Sequence, residues 1–120
     1  MIHPKRIAVA FLAGRLINHS TSSAVYDYST SSYHNLSGQL NNTSISIYDY
    51  DRSCYLTGDF SNNNGSVYDY GTSTYINIIT NGNQFNGYDY HSSTYFSGIV
   101  NGNSVSLYDY QTNQYYNFTA

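Results

Sequence analysis

Apolar and polar residues alternate along most of the chain. In the stretch SVSLYDY, which begins at Ser104, Val105, Leu107 and Asp109 share one face of an extended backbone, and serines and tyrosines share the other. The stretch YFSGIV, which begins at Tyr95, alternates in the same way. A period of two residues is typical of half-buried strands. The pattern therefore predicts an all-β fold whose strands have one aliphatic face and one face of Tyr, Ser, Thr and Asn.

The alternating segments belong to a repeat. The motif Tyr-Asp-Tyr occurs five times, in steps of 22, 20, 20 and 20 residues, and a third tyrosine follows each copy after four intervening residues. These fifteen positions hold all but one of the 16 tyrosines. A fixed period of this length is the signature of a repeat architecture. The copies begin at Tyr26, Tyr48, Tyr68, Tyr88 and Tyr108.

Two kinds of turn alternate between the predicted strands. One is a four-residue Ser/Thr-rich link, and the other is an Asn-rich pair at Asn41-Asn42, Asn81-Gly82 and Asn101-Gly102. Asn-Gly between alternating runs is a strong signal for a two-residue type I′ hairpin. We therefore expect about six 20-residue β-hairpin repeats that form an antiparallel meander curled on itself. The alternative is a two-sheet β-solenoid, which stacks the repeated aspartates ~4.8 Å apart and is disfavoured by their mutual repulsion.

The N-terminal segment has two interpretations. A basic pair before a short apolar run resembles a targeting segment, and the run is too short to span a bilayer. Phe11–Leu16 also matches the second half of the later repeats, with Gly14 in the place of Gly98. This match predicts a strand at Phe11–Leu16. The predicted division is one domain, 1–120, with a degenerate first repeat at about 7–23 and Tyr-Asp-Tyr repeats over 24–120.

The tyrosine spacing predicts a ladder across the strands. With Asn81-Gly82 as a two-residue loop, Tyr75 lies opposite Tyr88, and across the other link Tyr70 lies opposite Tyr75. Cross-strand aromatic pairs contribute roughly 0.2–1 kcal/mol each, so the ladder would set the register of the sheet. The same rings, beside Asn, Ser and Thr, also suit the C–H faces and hydroxyls of sugars. The candidate ligand or partner face comprises Tyr68, Tyr70, Tyr75, Tyr88, Tyr90, Tyr95, Tyr108, Tyr110 and Tyr115.

Composition narrows the classes of function. Charged residues make up 9% of the chain and the net charge is −3, so there is no basic footprint for nucleic acid. An aromatic content of 18% argues against disorder. We expect no catalytic site, metal or cofactor: the repeated Asp residues are interpreted as loop caps, the four His residues are scattered, and Cys54 stands alone as a half-buried thiol.

The repeats resemble three families of short repeats. Residues 88–90, Tyr95 and 101–103 are similar to choline- or glucan-binding repeats, although this chain has no Trp. The stretch SVSLYDYQTNQYY resembles curlin-type repeats, and the recurring Tyr-Asp pair is similar to the YD repeats of Rhs proteins. The three resemblances together imply a repeat scaffold or a binding surface.

Two functions follow as hypotheses. The first is a non-enzymatic structural or self-associating β-repeat protein, with itself as partner in an oligomer or fibre. The alternative is a binding module with a tyrosine-lined face, for glycans. We expect no membrane span, and the sequence assigns no compartment. We also expect curling or association to cover the aliphatic face, which comprises Val25, Leu36, Ile47, Leu56, Phe60, Val67, Ile76, Ile78, Phe96 and Leu107.

Overall fold

The structure, a computed structural model, describes residues 1–41 and 43–120. Its elements are α1 (His3–Asn18), β1 (Ala24–Asp27), β2 (Ser32–Asn41), β3 (Ser44–Asp49), β4 (Cys54–Ser61), β5 (Asn64–Asp69), β6 (Thr74–Asn81), β7 (Gln84–Asp89), β8 (Thr94–Asn101), β9 (Ser104–Asp109) and β10 (Gln114–Thr119). Consecutive strands pair antiparallel, and β1 pairs with β10 to close a barrel. The predicted all-β antiparallel meander is confirmed. The solenoid alternative is wrong, and the meander closes into a barrel of ten strands.

The N-terminal segment is a helix inside the barrel, so the strand predicted at Phe11–Leu16 is wrong. Every residue from Lys5 to Gly14 is buried, and an apolar surface on all sides is typical of a helix surrounded by protein. The run IAVAFLA contains three alanines and a leucine, which are strong helix formers. Pro4 lies in the first turn, where its missing N–H leaves no hydrogen bond unmade. The resemblance around Gly14 to later repeats was therefore misleading.

The helix covers the aliphatic face of the sheet. Strands β3, β5, β7 and β9 share one burial pattern, in which every second side chain points into the barrel and is buried. All ten predicted members of that face are buried except Phe60, which is half-buried and packs against the same core. Barrels with more than about eight strands enclose more room than their own side chains fill. The predicted curling is confirmed, but the helix, rather than a second half of the sheet, fills the interior.

The Asn-rich turns differ from the prediction in register. The pair Asn81↔Gln84 closes the turn between β6 and β7, so the loop is Gly82-Asn83 and lies one residue later than expected. Of these two loop residues only Gly82 has a positive φ (60°), whereas a type I′ turn needs both. The loop Asn62-Asn63 does have two positive values, 52° and 62°. The predicted turn at Asn41-Asn42 includes Asn42, which lies outside the described residues.

Replacing Gly14 and Gly58 by Ala should change stability in opposite directions. In α1, Ala removes a helix-propensity penalty of about 1 kcal/mol, and the added Cβ meets Ala120 Cβ at an ordinary 3.4 Å. At Gly58 the added Cβ would overlap the backbone oxygen of Ser66 on the next strand, so the strands must shift at a cost of about 1–3 kcal/mol. Urea unfolding of both variants measures the two changes. A destabilised Gly14→Ala variant would contradict the helical assignment of this segment.

Candidate functional site

Fifteen tyrosines form five clusters on the outer wall of the barrel. In one of them, Tyr68 lies directly opposite Tyr75 across a hairpin, and Tyr70 begins the loop between them. The ring centroid of Tyr68 lies 4.8 Å from that of Tyr70 and 4.9 Å from that of Tyr75, at interplanar angles of 78° and 71°. Such edge-to-face packing is a preferred aromatic geometry. The five clusters, here called the tyrosine triads, are Tyr26/Tyr28/Tyr33, Tyr48/Tyr50/Tyr55, Tyr68/Tyr70/Tyr75, Tyr88/Tyr90/Tyr95 and Tyr108/Tyr110/Tyr115.

The triads are separate, so the predicted continuous ladder is wrong. Tyr88 lies opposite Asn77 rather than Tyr75, because the turn before it falls one residue later than expected. Tyr108 likewise lies opposite Ser97. A polar residue of the preceding strand therefore stands between one triad and the next.

The nine predicted face residues make up three complete triads. The structure adds two equivalent ones, whose residues follow the same Tyr-x-Tyr-x₄-Tyr spacing and were left out of the predicted face. The spacing alone contained the signal needed to include them. The missed residues are Tyr26, Tyr28, Tyr33, Tyr48, Tyr50 and Tyr55.

A shallow groove runs beside each of several triads. The groove at Tyr48 has a volume of about 520 Å³, and a second groove of about 520 Å³ lies at Tyr68, one repeat further along the chain. Corresponding positions of the two grooves are twenty residues apart. The first is lined by Arg15, Ser37, Gly38, Gln39, Ser46, Tyr48, Tyr50 and Tyr55. The second is lined by Thr57, Gly58, Asp59, Ser66, Tyr68, Tyr70 and Tyr75.

The grooves combine aromatic rings with polar side chains, most of which are neutral. The central ring, such as Tyr68, is half-buried against the wall, whereas Tyr70 and Tyr75 are 58% and 52% exposed. The hydroxyl oxygen of Ser97 lies 3.5 Å from that of Tyr110, so serine and phenol hydroxyls face the same space. The arrangement offers ring faces for stacking and, beside them, hydroxyls that can both donate and accept hydrogen bonds.

Basic side chains are almost absent from this outer surface. Lys5 and Arg6 are buried, and Arg15 and Arg52 are half-buried. All four basic residues of the chain are described, so none of its Lys or Arg side chains is exposed. Arg15 reaches one groove, but its guanidinium donates to the backbone oxygens of Ser20 and Ser22. The grooves are therefore poorly suited to polyanions.

The middle residue of each Tyr-Asp-Tyr motif points into the barrel. All five of these aspartates are buried and accept a hydrogen bond from the backbone N–H two residues later, as in Gly71 N to Asp69 Oδ1 at 2.8 Å and Gln111 N to Asp109 Oδ1 at 2.9 Å. The prediction that they cap the loops is confirmed. They lie at one end of the barrel and are Asp27, Asp49, Asp69, Asp89 and Asp109.

Lysine and arginine side chains form ion pairs with this ring of aspartates, and the sequence analysis did not predict these pairs. Lys5 Nζ lies 2.7 Å from Asp89 Oδ1, and Arg6 Nε lies 2.9 Å from Asp109 Oδ2. Arg52 bridges two members, with Nε 2.8 Å from Asp49 and Nη1 2.9 Å from Asp69. The basic pair that resembled part of a targeting segment therefore neutralises carboxylates inside the barrel.

Hydrogen bonds lower the pKa of two members of the ring, Asp27 and Asp89. Burial by itself would raise the pKa of Asp27, but hydrogen bonds from His3, Ser29 and Thr30 outweigh it and hold that pKa at about 2. Burial would likewise raise the pKa of Asp89, but hydrogen bonds from Lys5, Ser92 and the His91 backbone, together with the charge of Lys5, outweigh it, so the pKa is lowered. Both carboxylates are thus held in the charged form.

Ser32, His34 and Asp51 are the residue types of a hydrolytic triad, but their hydrogen bonds run the wrong way. Thr30 donates its only hydroxyl proton to Asp27 at 2.9 Å, so Ser32, 2.7 Å from Thr30 Oγ1, must donate to Thr30. Ser32 Oγ lies 3.1 Å from His34 Nε2 with no proton left to donate to it, and His34 Nδ1 contacts Asp51. A nucleophilic serine needs its proton directed at the imidazole. This cluster ties two loops together and is not arranged for catalysis.

The remaining thiol and the possible metal ligands offer no further site. Cys54 is half-buried, and burial raises the pKa of its thiol despite the nearby charge of Arg52. Residues 1–41 and 43–120 contain no group of three or more His, Cys, Asp or Glu residues that could hold a metal ion. In the same ranges no helix has the length and apolar character needed to cross a membrane.

The fold and the surface together define a closed antiparallel barrel that holds its own N-terminal helix and displays a belt of tyrosine grooves. Comparison of the chain with known protein families, curated proteins and solved structures found no significant match. The function must therefore be inferred from the chemistry of the grooves and of the barrel interior.

Stability should fall as pH drops from about 4 to 2. The folded-state pKa of Asp27, about 2, lies below the unfolded value of roughly 3.9, so its contribution is present above the unfolded value and is lost as pH falls through the folded one. This group alone accounts for about 2 kcal/mol. Urea unfolding between pH 2 and 6 measures the slope. Asp27→Asn should flatten the slope, whereas Asp59→Asn, at an exposed position, should leave it unchanged; equal slopes in all three proteins would refute the assignment.

Proposed function

We propose that the protein is a non-enzymatic binding module whose tyrosine grooves hold neutral sugar rings. The supporting observation is the repeated combination of exposed tyrosine faces with Ser, Thr, Asn and Gln side chains along the outer wall. A sugar ring presents apolar C–H groups on its faces and hydroxyls at its rim. A groove with an aromatic wall and neutral hydrogen-bonding neighbours matches both features.

The triads favour binding because they are organised before a ligand arrives. Each central ring is packed edge-to-face against two others at 4.7–4.9 Å, and the strands beneath are held in the barrel. Tyrosine has few rotatable bonds, so it supplies contact area with little loss of conformational entropy on binding. A preorganised aromatic wall is what a weakly interacting ligand such as a sugar requires.

Charge favours a neutral glycan over an acidic one. The side chains Lys5, Arg6, Arg15 and Arg52 are withdrawn into the barrel or half-buried, and the exposed Asp59 lines one groove. Sulfated or uronate-rich chains would meet no free cation on the belt. The ligand class that fits the surface is therefore a neutral oligosaccharide.

A structural, self-associating role is the second candidate. Each described strand is hydrogen-bonded on both sides, and α1 packs on the aliphatic face, so neither strand edges nor that face remain for association. The surface left for self-association is the belt of exposed tyrosines. Sedimentation equilibrium separates the two roles, because a monomer at high concentration favours ligand binding and a defined oligomer favours self-association.

Titration with neutral trisaccharides should shift the NMR signals of tyrosine rings in the triads. The buried rings of Phe85 and Phe96 should not shift, and an oligosaccharide of uronates should have no effect. Losing one stacking ring in Tyr70→Leu should weaken binding at that triad about 2- to 10-fold, from an aromatic contribution of about 0.5–1.5 kcal/mol.

The matched control is Ile79→Ser, which removes an exposed apolar side chain (39% exposed) outside the triad of Tyr70. It should leave binding at that triad unchanged. If gluco-, manno-, galacto- and N-acetylglucosamine trisaccharides all leave the tyrosine signals unmoved, the proposed function is wrong.

A further inference from the structure

We infer that one chain carries five equivalent sugar-binding grooves and so cross-links branched or densely displayed neutral glycans. This inference rests on the proposed function, and it adds that the partner is a branched or densely displayed glycan. Every second hairpin of the barrel, namely β1/β2, β3/β4, β5/β6, β7/β8 and β9/β10, contributes one complete triad. No triad is shared between hairpins, so each groove is an independent site.

The equivalence extends to the closing seam of the barrel. Tyr26, Tyr28 and Tyr33 line a groove of about 360 Å³, together with Thr119 from the far end of the chain. The hydroxyl of Thr119 lies 3.0 Å from that of Tyr28, as the hydroxyl of Ser97 lies beside that of Tyr110 in another repeat. Strand β10 therefore places a polar side chain beside the first triad, as the strand before each later triad does for that triad. Closure completes a fifth groove that an open sheet would leave without a neighbouring strand.

The residues that vary between grooves lie beside the triads and not within them. The outward position that follows the central glycine or its equivalent holds Gln39, Asp59, Ile79 and Ile99 beside the four later triads, whereas at the seam Thr119 lies directly opposite Tyr26. The aromatic part is the same in all five. The shared chemistry is therefore recognition of a sugar ring face, while the neighbours adjust affinity from groove to groove.

The grooves face different directions around the barrel. Equivalent rings of neighbouring triads lie two strands apart, which is ~10 Å along the wall. The whole molecule measures 32 × 31 × 29 Å. Triads on opposite sides of such a body cannot contact one stiff sugar chain. Separate branches, or separate glycans, must fill them, and one protein molecule then joins several ligands.

Multivalency should raise affinity for polymers far above that for their units. Linked sites exceed single-site affinity by about 10²–10⁴-fold when the geometry allows simultaneous binding. We therefore expect a branched neutral polysaccharide to bind at least ~100-fold more tightly than its free trisaccharide, and to form a turbid cross-linked phase that excess trisaccharide dissolves.

The test uses the full chain with branched dextran, mannan and galactomannan, each paired with its own trisaccharide. Calorimetry should give more than one trisaccharide per chain, approaching five, and light scattering should report cross-linking by the matching polysaccharide. The decisive variant changes four triads at once, Tyr28→Leu, Tyr50→Leu, Tyr90→Leu and Tyr110→Leu, and keeps the triad of Tyr70. It should bind trisaccharide at full strength at the Tyr70 triad and about 2- to 10-fold more weakly at the other four, so cross-linking should require a higher protein concentration than for the unmodified protein.

The outcomes separate the valency from the proposed function. A stoichiometry of one for the unmodified protein would overturn the valency and leave sugar binding intact, whereas binding of none of the probes would overturn both. If the variant with four altered triads cross-links the polysaccharide as strongly as the unmodified protein does, the valency is also overturned. The four replaced rings are all more than half exposed, and circular dichroism checks that the variant folds; if it does not fold, the stoichiometry of the unmodified protein decides.

Discussion

Five carboxylates point into a closed barrel, and their neutralisation connects the sheet, the helix and the loops. An unpaired buried charge is strongly destabilising, so each aspartate of the ring needs donors within the barrel. The loops supply backbone N–H groups, and α1 supplies Lys5 and Arg6. The inward pattern of a repeat, apolar residues or glycine and then Asp, matches the helix, which has cations at its start and an apolar body behind them. The helix is therefore a matched part of the fold: its charged turn belongs at the end of the barrel where the aspartates lie.

The Tyr-Asp-Tyr motif serves both faces of the wall. Because side chains alternate along a strand, Asp69 points inward while Tyr68 points outward, and Tyr70 continues on the outer side at the start of the loop. The same three residues thus contribute a charge to the interior ring and two rings to a triad. The third tyrosine completes the triad from the paired strand. The repeated motif therefore gives each two-strand repeat one interior carboxylate and one exterior cluster.

Sequence reasoning recovered the features that depend on local pattern. Alternation in stretches such as SVSLYDY predicted the strands and their buried face, and the position of each Asp before a Ser/Thr-rich loop predicted its hydrogen bonds to that loop. The helix was missed because FLAGRL resembles a strand of the repeat and only the closed barrel reveals the space it fills. The register between β6 and β7 was wrong because the loop is Gly82-Asn83, and a one-residue shift of a turn changes every cross-strand pair of its hairpin. The pairing of Lys5 with Asp89, 84 residues apart, has no local signal at all.

Closure also determines where a ligand can bind. With α1 inside the barrel and both sides of every described strand paired, the outer wall is the surface that remains for recognition. On that wall the inward residues fix the packing, while an outward position such as Gln39 or Asp59 is exposed or half-buried and lies next to a triad. A change at such a position would alter the neighbourhood of a sugar ring bound as proposed, without touching the helix or the ring of aspartates. The packing that stabilises the barrel and the proposed recognition surface therefore lie on opposite faces of the same strands, so a groove can change while the barrel that holds it stays the same.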